Sequence, residues 1–197
     1  MTLAELQRVE LSAAGNSWGM GDDNPNTGQI PTLEELLDAV AGRCHLLLEL
    51  KSKQDGLVAA TAAALESGGW LDEQSVPYSN GGVTVFCRDL GQLEEVGEKA
   101  PNAARMLSVD IIDEPAVSLA LEKKLEGVST ASTHPDLEEQ VALAKAAGLN
   151  CRTAGIGAPD DDGLANLRRA VKAGADGTTI DWPFKAQDVV AMMKITG

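Results

Sequence analysis

Short runs dominated by Val, Ile and Leu alternate along the chain with longer segments whose apolar positions recur at helical spacing. The first pattern marks strands buried on both faces and the second marks helices with one apolar face. The alternation therefore predicts βα units around a parallel sheet. Six runs read as strands: His45 to Leu50, Gly82 to Phe86, Ala104 to Val109, Gly127 to Thr130, Asn150 to Thr153 and Gly177 to Ile180. Leu57 to Ser67, Leu90 to Lys99, Pro115 to Leu125, Leu137 to Ala147, Gly163 to Ala173 and Ala186 to Lys194 read as helices.

Local punctuation agrees. Thr32 and Glu35 form a capping-box pair at the start of LEELLDAV, and Gly42 supplies the stop. Pro135 and Asp136 favour helix initiation, and Gly148 ends the helix that follows. Two stretches break the rhythm: Gly15 to Gln29, rich in Gly, Asn and Asp, and Gly68 to Gly82. No second core of different composition follows either, so residues 1–197 read as one domain. An all-parallel alternation leaves a doubly wound sheet or a (β/α)8 barrel. No Gly-rich phosphate loop follows a first strand, which counts against the nucleotide-binding doubly wound folds. A closed barrel typically runs to about 250 residues. Six units fall two short of such a barrel, so the expected fold class is α/β, with an incomplete (β/α)8 TIM-barrel type, six of eight βα units, standing beside the doubly wound sheet.

Composition narrows the function. The 197 residues are 44% hydrophobic, enough to bury a sizeable core. Lys and Arg number 16 against 30 Asp and Glu, a net charge of −14. Such a surface repels phosphate backbones and anionic lipid, so nucleic-acid and electrostatic membrane binding are not expected. An anionic substrate needs a local positive feature or a bound cation. Aromatic residues make up 3%, too few for base-stacking platforms. Cys44, Cys87 and Cys151 are widely separated and in no CxxC spacing, which points to a reducing compartment rather than a disulfide framework. No apolar run approaches the roughly 18–20 residues of a membrane span, and Met1 to Glu10 lacks a signal pattern. The sequence as written is expected to be cytoplasmic.

The sharpest chemical feature is Glu49 followed by Lys51 in HLLLELKSK. Positions i and i+2 of a strand share a face, so both charges leave the end of an otherwise apolar run in one direction. At the C-terminal end of a barrel strand, such a pair reads as a site, with Glu as metal ligand or base and Lys as a phosphate or oxyanion contact. The plainer alternative is an ion pair at a solvated strand end. In GTTIDWP, Asp181 and Trp182 fall at another strand end, where Asp181 caps a helix or faces a pocket and Trp182 walls a pocket or packs the rim. His45 opens the strand that ends in Glu49, placing it at the opposite, stabilising face, whereas His134 follows a strand and reads as a loop residue. Asp160, Asp161 and Asp162 diverge in space and read as a solvated helix N-terminus favoured by the dipole.

These segments, in order, resemble the glycerophosphodiester phosphodiesterase family: Thr2 to Leu6, then Ile30 to Val40 (IPTLEELLDAV), Leu46 to Lys51 (LLLELK), Val83 to Phe86 and the closing GTTIDWP. The resemblance covers essentially the whole chain. It implies a (β/α)8 barrel that hydrolyses glycerophosphodiesters to glycerol 3-phosphate and an alcohol with a divalent cation, Mg or Ca. It also implies Glu49 as metal ligand, Lys51 and Asp181 at the substrate, and Trp182 at the pocket or rim.

Departures from the family pattern carry their own expectation. The His-Arg-Gly, Glu-x-Asp and His-Asp motifs of that family precede the Thr2 to Leu6 segment, where this chain has Met1 alone. His45 and His134 do not match the family's acid-base histidines, so the catalytic residues are not assigned here. Arg152-Thr153-Ala154 stands where the family often has an aromatic strand, and Val85 replaces a serine. An N-terminally truncated member, inactive or weakly active alone, is the first expectation. The alternative is a noncatalytic barrel remnant serving as a binding module. Either one leaves an open sheet edge through which a homo-oligomer could form.

Overall fold

The computed structural model describes residues 2–9, 30–78, 82–156, 160–181 and 186–191. In chain order the elements are α1 (Leu3–Leu6), α2 (Leu33–Val40), β1 (Leu46–Glu49), α3 (Leu57–Ser67), β2 (Val83–Cys87), α4 (Leu90–Lys99) and β3 (Ala104–Ser108). They continue as α5 (Glu114–Glu122), β4 (Gly127–Ala131), α6 (Leu137–Ala146), β5 (Asn150–Ile156), α7 (Asp161–Ala173) and β6 (Gly177–Ile180). A helix over 186–191, α8, closes the set. The Gly15 to Gln29 loop lies outside the described residues.

The helices begin where the chain supplies acceptors for their first amides. Thr32 and Glu35 form the expected reciprocal capping box, at 3.1 and 2.8 Å. Asp89, Asp113 and Asp160 cap α4, α5 and α7 in the same way, each accepting from the amide three residues on at 2.9 Å. The Asp160–Asp162 run is thus a helix start, as read from the sequence.

All six strands are parallel, and their order in the sheet is their order in the chain, β1 to β6. Each helix returns the chain to the next position, the winding that curls a parallel sheet into a (β/α) barrel. With six strands paired in a single row, the sheet forms a half-barrel. One strand differs from expectation by more than a residue at either end. The Asn150 to Thr153 run continues to Ile156, because Gly155 takes a positive φ of 84° and the β5–β6 ladder shifts register between Thr153 and Ile156. A glycine that ends a run by eye here extends it.

The strands present two buried faces. On one, Val83, Val85, Cys87, Leu107, Val128 and Cys151 pack against Leu65, Leu93, Val96, Leu137 and Val141 of the helices. A smaller cluster of Ile156, Leu167, Ala170, Ala186 and Val189 lies under α7 and α8. The other face lines the lumen, where Thr84, Phe86, Ala104, Met106, Ser129 and Arg152 are buried outside both helix-side clusters. The helix face has hydroxyls at Thr130 and Thr153, spent on Asp110 O and Thr178 Oγ1, whereas the lumen face carries the one buried charge among the described strand residues, Arg152.

Candidate functional site

Glu49 is the last residue of β1 and opposes Phe86 of β2 in register. Leu50 N donates to Phe86 O at 3.0 Å, carrying the pairing one residue further before the chain turns out. Lys51 follows, and its Nζ lies 3.4 Å from Glu49 Oε2, both side chains substantially exposed. Glu49 and Lys51 are therefore together at a C-terminal strand end, in the form of an ion pair open to solvent. An exposed pair of this kind adds little to stability, at most about 1 kcal/mol, so folding alone gives it no strong reason to be there.

The segment after Lys51 is pinned to the start of α4. Gln92 Nε2 donates to Ser52 O at 2.7 Å, and Lys53 Nζ sits 2.5 Å from Asp89 Oδ2. That hydrogen bond holds the Asp89 carboxyl below its ordinary value and the Lys53 ammonium above its own. Beside them, Arg88 Nη1 donates to Asp110 Oδ1 at 2.6 Å. Lys51, Lys53 and Arg88 thus bring three cations to this rim, each paired with a carboxylate, Glu49, Asp89 and Asp110 in turn, so an anionic ligand here exchanges places with a carboxylate rather than meeting free positive charge.

A residue with no obvious signal in the sequence dominates the lumen. Arg152 of β5 is 4% exposed, and its guanidinium carbon lies 4.2 Å from the centroid of the Phe86 ring. Its Nη1 donates to Ser129 Oγ at 3.0 Å and its Nη2 donates to Thr179 Oγ1. Burial pulls its pKa down, while the Tyr78 and Glu49 charges act in the opposite direction. Tyr78 comes from the α3–β2 connection with a positive φ of 63°. Its ring occupies the space a Cβ on Gly177 would fill, at 2.7 Å, so only glycine at that position of β6 admits it. Burial pushes the Tyr78 hydroxyl up to about 12. Parity places Arg152 only once Cys151 is seen in the helix-side core: Arg152 then shares the opposite, lumen face with Ala154.

The remaining sequence candidates separate. Asp181 lies just past β6 and is exposed, and Trp182 falls outside the described residues. His45 precedes β1, with Nε2 at 2.8 Å from Thr84 Oγ1 and its ring tilted against Tyr78, at the end of the barrel opposite Glu49. His134 lies after β4, where its Nδ1 meets Gln140 Nε2 and its carbonyl accepts from Arg169 at 3.1 Å. Neither imidazole is placed beside Glu49.

A divalent cation is tested directly by the donors. Mg and Ca take about six or more oxygen ligands, several of them carboxylate. Among the described residues no three His, Cys, Asp or Glu side chains are grouped to hold an ion, and Glu49 is engaged by Lys51. The described residues do not fit a resident metal.

Comparison with known proteins assigns the fold. No family model matches the sequence, and no curated protein matches it. Solved structures do match. A protein of Agrobacterium tumefaciens strain C58 assigned as a glycerophosphoryl diester phosphodiesterase superposes with a TM-score of 0.76 at 20% identity, covering 99% of this chain and 73% of its own. One of Galdieria sulphuraria assigned as a glycerophosphodiester phosphodiesterase gives 0.74 at 19%, covering 97% and 70%. A phosphodiesterase of Oleispira antarctica, solved with its product sn-glycerol-3-phosphate, gives 0.70 at 22%, covering 96% and 70%. The fold is accordingly a partial (β/α) barrel. More narrowly, it is a partial glycerophosphodiester phosphodiesterase-like fold.

Proposed function

We propose that this chain is the glycerophosphodiester-handling part of a phosphoric diester hydrolase barrel, and that alone it binds the glycerol phosphate moiety far better than it cleaves the ester. The observation that carries this is Glu49 with Lys51 at the C-terminal end of β1, on a rim that also bears Lys53 and Arg88. In (β/α) barrels that end of the strands is where chemistry is done. Lys51 contacts a phosphate oxygen as a mobile point charge. Asp181, exposed at the end of β6, accepts from a glycerol hydroxyl. Glu49 orients Lys51 and is the family-like metal ligand only where further donors join it.

Cleavage asks for more than binding. In-line displacement needs charge on the nonbridging oxygens and a group that protonates the leaving alkoxide. His45 is at the wrong end and His134 is tied to Gln140. Missing acid-base help alone costs about 10²- to 10⁴-fold. The same donor shortage favours a second reading, a noncatalytic binding module, in which a second copy covers the edges of β1 and β6.

The test is calorimetric titration of sn-glycerol 3-phosphate, with release of that product from a glycerophosphodiester followed in parallel under Mg, Ca and EDTA. Expected are saturable binding weakened about tenfold by Lys51→Ala, and turnover close to background under all three conditions. Fast turnover abolished by Glu49→Gln would overturn the weak-activity part. Absence of any glycerol phosphate binding would leave only the module, for which sedimentation velocity then shows the self-association.

A further inference from the structure

Arg152 is a buried charge that the fold satisfies only in part. Two of its nitrogens reach the hydroxyls of Ser129 and Thr179, and the Phe86 face covers its plane. Its Nε, just as buried, has no hydrogen-bond partner. No ion pair among the described residues includes it. Hydroxyl oxygens and a ring face offer partial charge only, and a guanidinium out of water without a full counter-charge is unfavourable. Glu49, whose charge reaches Arg152, is held by Lys51. The Tyr78 hydroxyl is likewise buried without a partner.

We propose that Arg152 anchors an oxyanion site in the barrel lumen that takes a phosphate-type dianion, free or esterified to glycerol, without a divalent cation. Two oxygens of one phosphate accept from Nε and an Nη in the planar fork that guanidinium presents. Ser129 and Tyr78 contribute hydroxyl donors. Access is from the flank of β6, where Thr179, the partner of Nη2, is exposed. The site does not require a metal, because the charge that a cation would bring is already in the lumen, in a region where no metal-ligating trio is assembled among the described residues. This deepens the function proposed above and rests on it only for the glycerol moiety.

The experiment titrates the full chain with inorganic phosphate and, separately, sn-glycerol 3-phosphate, in EDTA at fixed ionic strength. Heat is recorded together with the side-chain Nε–Hε resonances of the arginines by NMR. The expected result is a shift of the Arg152 resonance in the unsubstituted protein, unchanged affinity on adding Mg, and binding about tenfold or more weaker in Arg152→Gln. Binding that appears only with Mg overturns the proposal. So does an Arg152 resonance that stays fixed while phosphate is added, which needs no variant to fold. Glycerol 3-phosphate binding lost in Lys51→Ala but intact in Arg152→Gln overturns it while leaving the proposed function in place. Arg152-dependent binding of inorganic phosphate without glycerol 3-phosphate binding sustains the site and removes the glycerophosphodiester reading.

Discussion

At the residue scale, environment rather than residue type decides what each reactive group does. The three cysteines show this within one chain: Cys44 is exposed, whereas Cys87 and Cys151 are buried in strands. Burial pushes the Cys151 thiol up to about 12 and raises that of Cys87. Only the thiolate is nucleophilic, so both access and ionisation protect these two. A maleimide pulse at neutral pH, read by peptide mass, is expected to label Cys44 alone in the folded protein and all three in denaturant. Native labelling of Cys151 at the Cys44 rate would mean that β5 opens freely. Arg152 is the mirror case, a charged residue placed where cysteines and valines are expected. Its run, NCRT, carries too little hydrophobic pattern to declare which residue faces the lumen, and burial of the guanidinium depends on Phe86, Ser129 and Thr179, residues that the sequence sets 66, 23 and 27 positions away. The adjacency of Glu49 and Lys51 was legible because both lie in one short segment at a strand end.

At the element scale, close strand packing fixes the small residues. A Cβ on Gly127 in β4 would meet Asn150 O of β5 at 2.6 Å and Met106 Cε of β3 at 2.8 Å. The methionine tip can swing aside, but the carbonyl belongs to a paired strand. Gly127→Ala is therefore expected to destabilise by about 1–3 kcal/mol, measured as a shift in urea midpoint at unchanged slope. A stability unchanged within error would show that the β4–β5 ladder slides to make room. Strands and helices were readable in the sequence because each is encoded by short-range periodicity and by caps such as Thr32–Glu35. The end of β5 was not, since Gly155 reads as a breaker until its place in a bulged ladder is known. Pairing order follows from consecutive βα winding, and that too was legible, whereas the Tyr78–Gly177 contact that ties the α3–β2 connection to β6 is long-range and left no local trace.

At the scale of the whole molecule, the sheet is not equally stable along its width. β2 is buried at every position and paired on both sides, with the larger helix-side cluster against it. Among the described residues β6 has a single neighbour; it is partly buried except at Thr179, which is exposed, and a cluster of five buried residues lies beneath α7 and α8. Local opening free energies follow the apolar contacts that must be broken, so the β6–α8 end should exchange amide hydrogens through a smaller opening than β2 to β4. Two core truncations separate this from a single cooperative unit. Leu167, 1% exposed in the smaller cluster, and Leu93, fully buried in the larger, each lose about 2–5 kcal/mol on truncation to Ala. Leu93→Ala is expected to speed exchange in every strand, because the whole fold depends on its cluster. Leu167→Ala is expected to speed exchange in β6, α7 and α8 while the slowest amides of β2 and β3 keep their rates. The packing of α7 on α6 and on β5, together with the β5–β6 ladder, gives the routes by which the two regions could be coupled. Equal acceleration everywhere in Leu167→Ala would mean that these contacts transmit the loss and that the half-barrel opens as one body, in which case the flank of β6 could not loosen by itself to widen the path to Arg152.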